Sequence, residues 1–125
     1  MILDTNAVSS LLEGELSLER QLAGSEGHHL PAIVIGEYLF GISQSTTRRR
    51  LESLFRQLIR ESILLDVDQQ TGEYYAHIRL ELKQKGRPIP DNDIWIAALA
   101  RQYNLSVISR DAHFDAVDGL DLLSW

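Results

Sequence analysis

The run Ile94-Trp95-Ile96-Ala97-Ala98-Leu99-Ala100 constrains this chain more than any other stretch. It is apolar on nearly every side, so a helix built from it has no face to give to water and has to be buried. Its start is marked by Pro90, which cannot continue an earlier helix, and by Asp91, whose carboxylate can take up orphan N–H groups. Its end is marked by Asn104, which tolerates a left-handed cap. Such a helix carries Asp93 to the rim of the core, where a carboxylate is costly unless something positive meets it. Two readings of Asp91 and Asp93 stand at this point: capping acids at the positive end of the helix dipole, or members of a larger acidic site.

The rest of the chain alternates strands with helices. Met1 to Asp4 reads as a short buried strand ending in an acid, followed by Thr5, Asn6 and a brief helix through Ala7, Val8, Leu11 and Leu12 that stops at Gly14. Leu16, Leu18 and Leu22 mark a second helix, and His29-Leu30 adds a little extended chain before Pro31 opens a third. Leu51, Leu54, Phe55 and Leu58 recur at i, i+3, i+4 and i+7, the core stripe of a helix capped by Thr46 or Thr47. Ile63-Leu64-Leu65-Asp66-Val67 reads as a buried strand. A long helix from about Gln69 is expected to bury Tyr75, Ile78 and Leu82 and to end at Lys83, Lys85 and Gly86. Leu105 to Ser109 and Leu120 to Leu123 supply two more strands. Strands separated by helices predict an α/β fold: one compact domain over residues 1–125, a mostly parallel central sheet wrapped by helices.

Composition narrows the chemistry. There is no cysteine, which removes disulfides, thiolate zinc sites and thiol catalysis together. No apolar run approaches the ~20 residues needed to span a membrane, and Met1 leads into a strand without a basic leader, so a cytoplasmic protein is expected. The net charge of −6 argues against broad nonspecific binding to nucleic acid, unless several acids are gathered round a metal ion that cancels them locally. His28, His29, His77 and His113 show no metal-ligand spacing and read as surface or packing residues. The run Arg48-Arg49-Arg50, with Arg56 and Arg60, is either a solvated face or a nucleic-acid or partner surface.

Four acids fall at positions that fold logic brings to one edge. Asp4 and Asp111 follow strands, and the crevice of a parallel sheet lies outside the C-terminal strand ends. Asp93 is in the first turn of a crossover helix, and Glu37 interrupts the apolar face of the helix opened by Pro31. Carboxylates brought that close repel, and each would show a raised pKa without a cation. Oxygen ligands without Cys or clustered His favour Mg²⁺ or Mn²⁺.

Taken in order, Met1-Ile2-Leu3-Asp4-Thr5-Asn6, Glu37, Asp93-Ile94-Trp95-Ile96-Ala97-Ala98 and Ser109-Arg110-Asp111 resemble the PIN-domain ribonucleases. The small size and the lead-in Gly86-Arg87-Pro88-Ile89 are similar to the VapC toxins of toxin–antitoxin pairs. The resemblance implies a PIN fold, Mg²⁺- or Mn²⁺-dependent endonucleolytic cleavage of RNA, a cognate antitoxin, and a homodimer that joins it in a larger complex. It implies Asp4, Glu37, Asp93 and Asp111 as the catalytic, metal-binding quartet, supported by Thr5 and Asn6. Asp91 and Asp115 are extra acids, either ligands of a second ion or idle. Arg87, Arg110, Lys83 and Lys85 are candidates for holding the RNA backbone, or serve solubility. Two alternatives come from other classes: a receiver-like phosphoacceptor domain, and a non-catalytic protein that keeps the fold and only binds a partner.

Overall fold

The computed structural model describes residues 1–125. Five short strands form one sheet: β1 (Ile2–Leu3), β2 (His29–Pro31), β3 (Ile63–Leu65), β4 (Val107–Ile108) and β5 (Leu122–Leu123). Their order is β3-β2-β1-β4-β5, and every neighbouring pair is parallel. Parallel neighbours need crossovers, supplied by α1 (Thr5–Leu12), α2 (Leu16–Ala23), α3 (Ala32–Ile42), α4 (Arg48–Glu61), α5 (Gln69–Lys85) and α6 (Asp91–Tyr103). A 3₁₀ turn, Ala112–Ala116, precedes β5. No helix is long and apolar enough to cross a membrane. In a flavodoxin-like receiver β1 lies between the second and third strands; here it lies between β2 and β4, which separates the two folds.

The all-round apolarity of α6 has a simple cause: the helix is packed on two sides. Ile96, Leu99 and Ala100 join the main core with Ile2, Leu3, Val107 and Ile108, while Ile94, Ala97 and Ala98 meet Ile78 and Leu82 of α5. Trp95 is the exception within the run, half-buried and stacked on Tyr75 with ring centroids 4.0 Å apart. Asn104 closes α6 at φ 53°, and Gly86 closes α5 at φ 65°, so both ends fall where the left-handed cap requires.

Three local expectations are corrected. The strand near Ile63 is not buried: β3 is an edge strand, only Leu65 is covered, and Ile63 and Leu64 are about half exposed. Its sequence is as apolar as that of a central strand, but sheet order leaves it a neighbour on one side alone. Asp91 does not cap α6, because Pro90 holds the cap position and makes no side-chain bond there. The Asp91 carboxylate instead accepts from Tyr75 Oη at 2.9 Å and pairs with Arg79. Thr47 stands at the cap of α4 but makes no side-chain cap bond.

Candidate active site

The register of the sheet explains how distant acids meet. Leu3 pairs with Ile108, so the next residues, Asp4 and Ser109, leave the sheet side by side. Ile2 pairs with His29, which puts Asp4 level with Pro31, where β2 ends and α3 begins. Strand ends and helix starts therefore share one rim.

Asp4 is buried there, 4% exposed, as the N-cap of α1. Its Oδ1 accepts the Ala7 N–H at 2.7 Å, and its Oδ2 accepts the Ser109 hydroxyl. Ser109 Oγ in turn accepts the Asp111 N–H at 2.9 Å, and Asp111 Oδ1 accepts the His113 N–H at 2.9 Å. This chain of bonds fixes the turn after β4 relative to the end of β1. On the opposite side Thr5 Oγ1 donates to Glu37 Oε1 at 3.0 Å, tying α1 to α3. Asp93, in the first turn of α6, completes the ring and meets His113 Nδ1 at 2.9 Å. The same nitrogen lies 3.0 Å from Asp111 Oδ1.

Together Glu37, Pro90, Asp91, Asn92, Asp93, Asp111 and His113 line an open crevice of about 370 Å³, in which Pro90 is the sole apolar residue. Asp4 lies outside that lining, buried. Its pKa is pushed up to about 6, chiefly by burial and further by the charges of Asp111 and Asp93; the bonds from Ser109 and Ala7 oppose the rise without cancelling it. Asp93 is raised as well, first by burial and then by Asp111 and Glu37, against the pull of His113. Two acids held above their ordinary range by desolvation and mutual repulsion mark a deficit of positive charge. Ligand atoms of Asp93, Asp111 and His113 lie within 4.8 Å of one another. This donor set, mostly carboxylate with one imidazole, fits a divalent cation.

The remaining candidates are dispersed. Asp91 lines the outer rim of the crevice with its carboxylate committed to Tyr75 and Arg79, whereas Asp115 is exposed on the 3₁₀ turn and is not among the lining residues. Asn6 is exposed in the first turn of α1. Lys85 bonds the Ala116 carbonyl at 2.9 Å and Asp118 at 2.7 Å. Arg110 folds over the Trp125 ring, 4.6 Å from its centroid, and bonds the Trp125 carbonyl. Arg87 and Lys83 stand exposed. Sequence reasoning missed two members of the site. Ser109 reads from the sequence as a strand end and as part of the motif Ser109-Arg110-Asp111, without a role of its own, although a hydroxyl between strand end and acid is well placed to donate. His113 was read as surface or packing; its only signal was its place two residues after Asp111, in the same turn.

The PIN domain family matches residues 1–120. Ribonuclease VapC5 of Mycobacterium tuberculosis is 32% identical over 91 residues, 70% of this chain and 66% of that protein. Toxin FitB of Neisseria gonorrhoeae is 30% identical over 123 residues, covering 89% of this chain and 87% of its own length. Among solved structures, VapBC2 from Rickettsia felis, bound to a DNA fragment from its promoter, superposes with a TM-score of 0.90 at 26% identity, over 99% of this chain and 97% of that one. With strand order, acidic rim and near-complete coverage in agreement, this chain belongs to the PIN-domain family.

Proposed function

We propose that this protein is the ribonuclease toxin of a toxin–antitoxin pair, hydrolysing RNA phosphodiesters at the acidic crevice with a bound Mg²⁺ or Mn²⁺. The observation that carries the reading is the convergence of Asp93, Asp111 and His113 beside a buried Asp4 whose pKa is raised to about 6. A buried acid from a strand end and a half-buried one from a helix start, both raised by burial and by neighbouring charge, meet Asp111 and His113 of one turn, an arrangement that a cation would relieve. Support for the RNA substrate and the antitoxin comes from relatives named as VapC ribonucleases and from similar structures of VapBC complexes.

Asp4 and Asp93 would hold the cation, with Glu37 and Asp111 completing its surroundings. When bound, the ion supplies charge to the phosphate oxygens and acidifies water. Glu37, held by Thr5, or Asp111, held by the Ser109 turn, orients the attacking water and takes its proton. Attack on phosphorus in line with the leaving 3′-oxygen gives a 5′-phosphate and a 3′-hydroxyl, with no part for the RNA 2′-hydroxyl. Arg87 and Lys83 are the exposed cations offered to the RNA backbone, and Arg110 and Lys85 can join only by leaving their present partners. Asp91 and Asp115 have the charge for a second ion, and Asp91 alone of the two borders the crevice. A cytoplasmic homodimer that binds its antitoxin completes the reading.

The test is cleavage of a labelled RNA by the purified protein with and without EDTA, with the product ends identified. Metal-dependent cleavage leaving 5′-phosphate ends is expected. Cleavage that survives EDTA, or that leaves a 2′,3′-cyclic phosphate, would falsify the mechanism.

A further inference from the structure

His113 is the one ionisable side chain of the crevice to which the chemistry above gives no work. Its Nδ1 lies 2.9 Å from Asp93 Oδ2 and 3.0 Å from Asp111 Oδ1, between two carboxylates carried by different elements. The ring is held in place from both sides of the chain. Its own N–H is bound by Asp111 Oδ1, and Phe114, the next residue, is fully buried.

Neighbouring ligands round an octahedral ion with bonds of ~2.1 Å stand about 3 Å apart, the bond length times the square root of two. The two spacings from His113 Nδ1 to Asp93 and Asp111 therefore also suit an imidazole standing next to each carboxylate on one ion, and all three ligand atoms lie within 4.8 Å of one another. We propose that His113 Nδ1 is a direct ligand of the divalent cation and makes the site select Mn²⁺ over Mg²⁺. This rests on the reading of the crevice as a metal centre. Mg²⁺ takes oxygen ligands and keeps its waters, whereas an imidazole nitrogen is a better ligand for transition ions. An all-carboxylate site would accept both ions; one nitrogen in the set tilts it. The ring proton then resides on Nε2, leaving the Nδ1 lone pair for the ion.

The test uses the full chain, stripped of metal, with MnCl₂ and MgCl₂ as the probes. Calorimetry measures both affinities for the unmutated protein, His113→Asn and His113→Ala, and pulsed electron paramagnetic resonance of the Mn²⁺-loaded proteins reports coordinated nitrogen. His113→Asn keeps an amide that can still bond the two acids, so it controls for their positioning. The expected result is nitrogen modulation in the unmutated protein and none in either variant, with Mn²⁺ affinity falling at least ~10-fold, the loss that removal of an outer-shell partner alone can cause, and Mg²⁺ affinity nearly unchanged. Mn²⁺ bound by the unmutated protein without coordinated nitrogen overturns the inference and leaves the proposed function standing. Equal losses for both ions also overturn it, marking His113 as a positioning residue for Asp93 and Asp111. Binding of neither ion overturns this inference and the proposed function together.

Discussion

Asp4 and Asp68 do the same local job with opposite electrostatic outcomes. Each is the N-cap of its helix and accepts the backbone N–H three residues on, from Ala7 at 2.7 Å and from Thr71 at 3.0 Å. Asp68 sits at the surface, takes the Gln102 amide as well, and shares a reciprocal capping box with Thr71. Its pKa is lowered, first by the Thr71 N–H and then by Gln102. Asp4 has an equally good cap bond and a hydroxyl donor, yet burial and two neighbouring acids push it up to about 6. A helix cap is thus not enough to settle a carboxylate. Where desolvation outweighs two hydrogen bonds, the ionised form is held at a cost to the fold, and that cost is what a cation can relieve.

The sharpest way to break this comparison is to remove the charge and keep the cap. Asn caps helices as well as Asp does. Asp4→Asn and Asp93→Asn are expected to lower RNA cleavage by at least about 10³-fold, because groups that act as a unit fail together. Asp68→Asn leaves cleavage at the unmutated rate. Similar rates for Asp4→Asn and Asp68→Asn in one RNA assay would dissolve the distinction between the two caps.

A smaller effect is read from thermal unfolding of the metal-free protein against pH. A raised acid favours the fold in its protonated form, so its contribution is fully present below the unfolded value of 3.8 and is lost as pH rises through about 6. Lowering the pH from 7 to about 5 should therefore raise stability by about 1 kcal/mol from Asp4, with Asp93 adding in the same direction. The lowered acid Asp68 behaves in the opposite sense: its contribution is present above the unfolded value and lost only as pH falls through its lower folded value. It is silent in the window where Asp4 titrates. Saturating Mn²⁺ should raise the melting temperature at pH 7 and reverse the slope, since protons then compete with the ion. In the metal-free protein His28 and His29, lowered chiefly by burial, oppose the rise toward pH 5 in the same window, so the Asp4 share is read as the difference from Asp4→Asn. A change between pH 7 and 5 identical in the two proteins would contradict the assignment of Asp4.

The smallest effects belong to the exposed acids. Asp68→Ala should lower the melting temperature by a few degrees through loss of the capping box, and Asp91→Asn by less, since the Asp91 carboxylate and its partner Arg79 are both exposed. Neither should alter the metal-induced rise in melting temperature. An Asp91→Asn protein that loses that rise would place Asp91 among the ligands.

Much of this architecture was written in neighbouring residues. The caps at Gly86 and Asn104, the helices α5 and α6, and the alternation that requires a parallel sheet are set by backbone freedom and by apolar period. These operate over one or two turns of chain, and a sequence displays them directly. Burial and pairing across the fold are different. The Ser109 hydroxyl reaches Asp4 across 105 positions because Leu3 pairs with Ile108 in the sheet. His113 reaches Asp93 across 20 because a 3₁₀ turn is anchored by Phe114. Lys85 and Arg110 bind groups brought near by the same packing, and Ile63 and Leu64 are uncovered because β3 is at an edge. The residue types fixed which groups could ionise, cap or ligate. Sheet register and helix packing alone decided which of them share one crevice, because desolvation and Coulomb repulsion depend on separation in space and not along the chain.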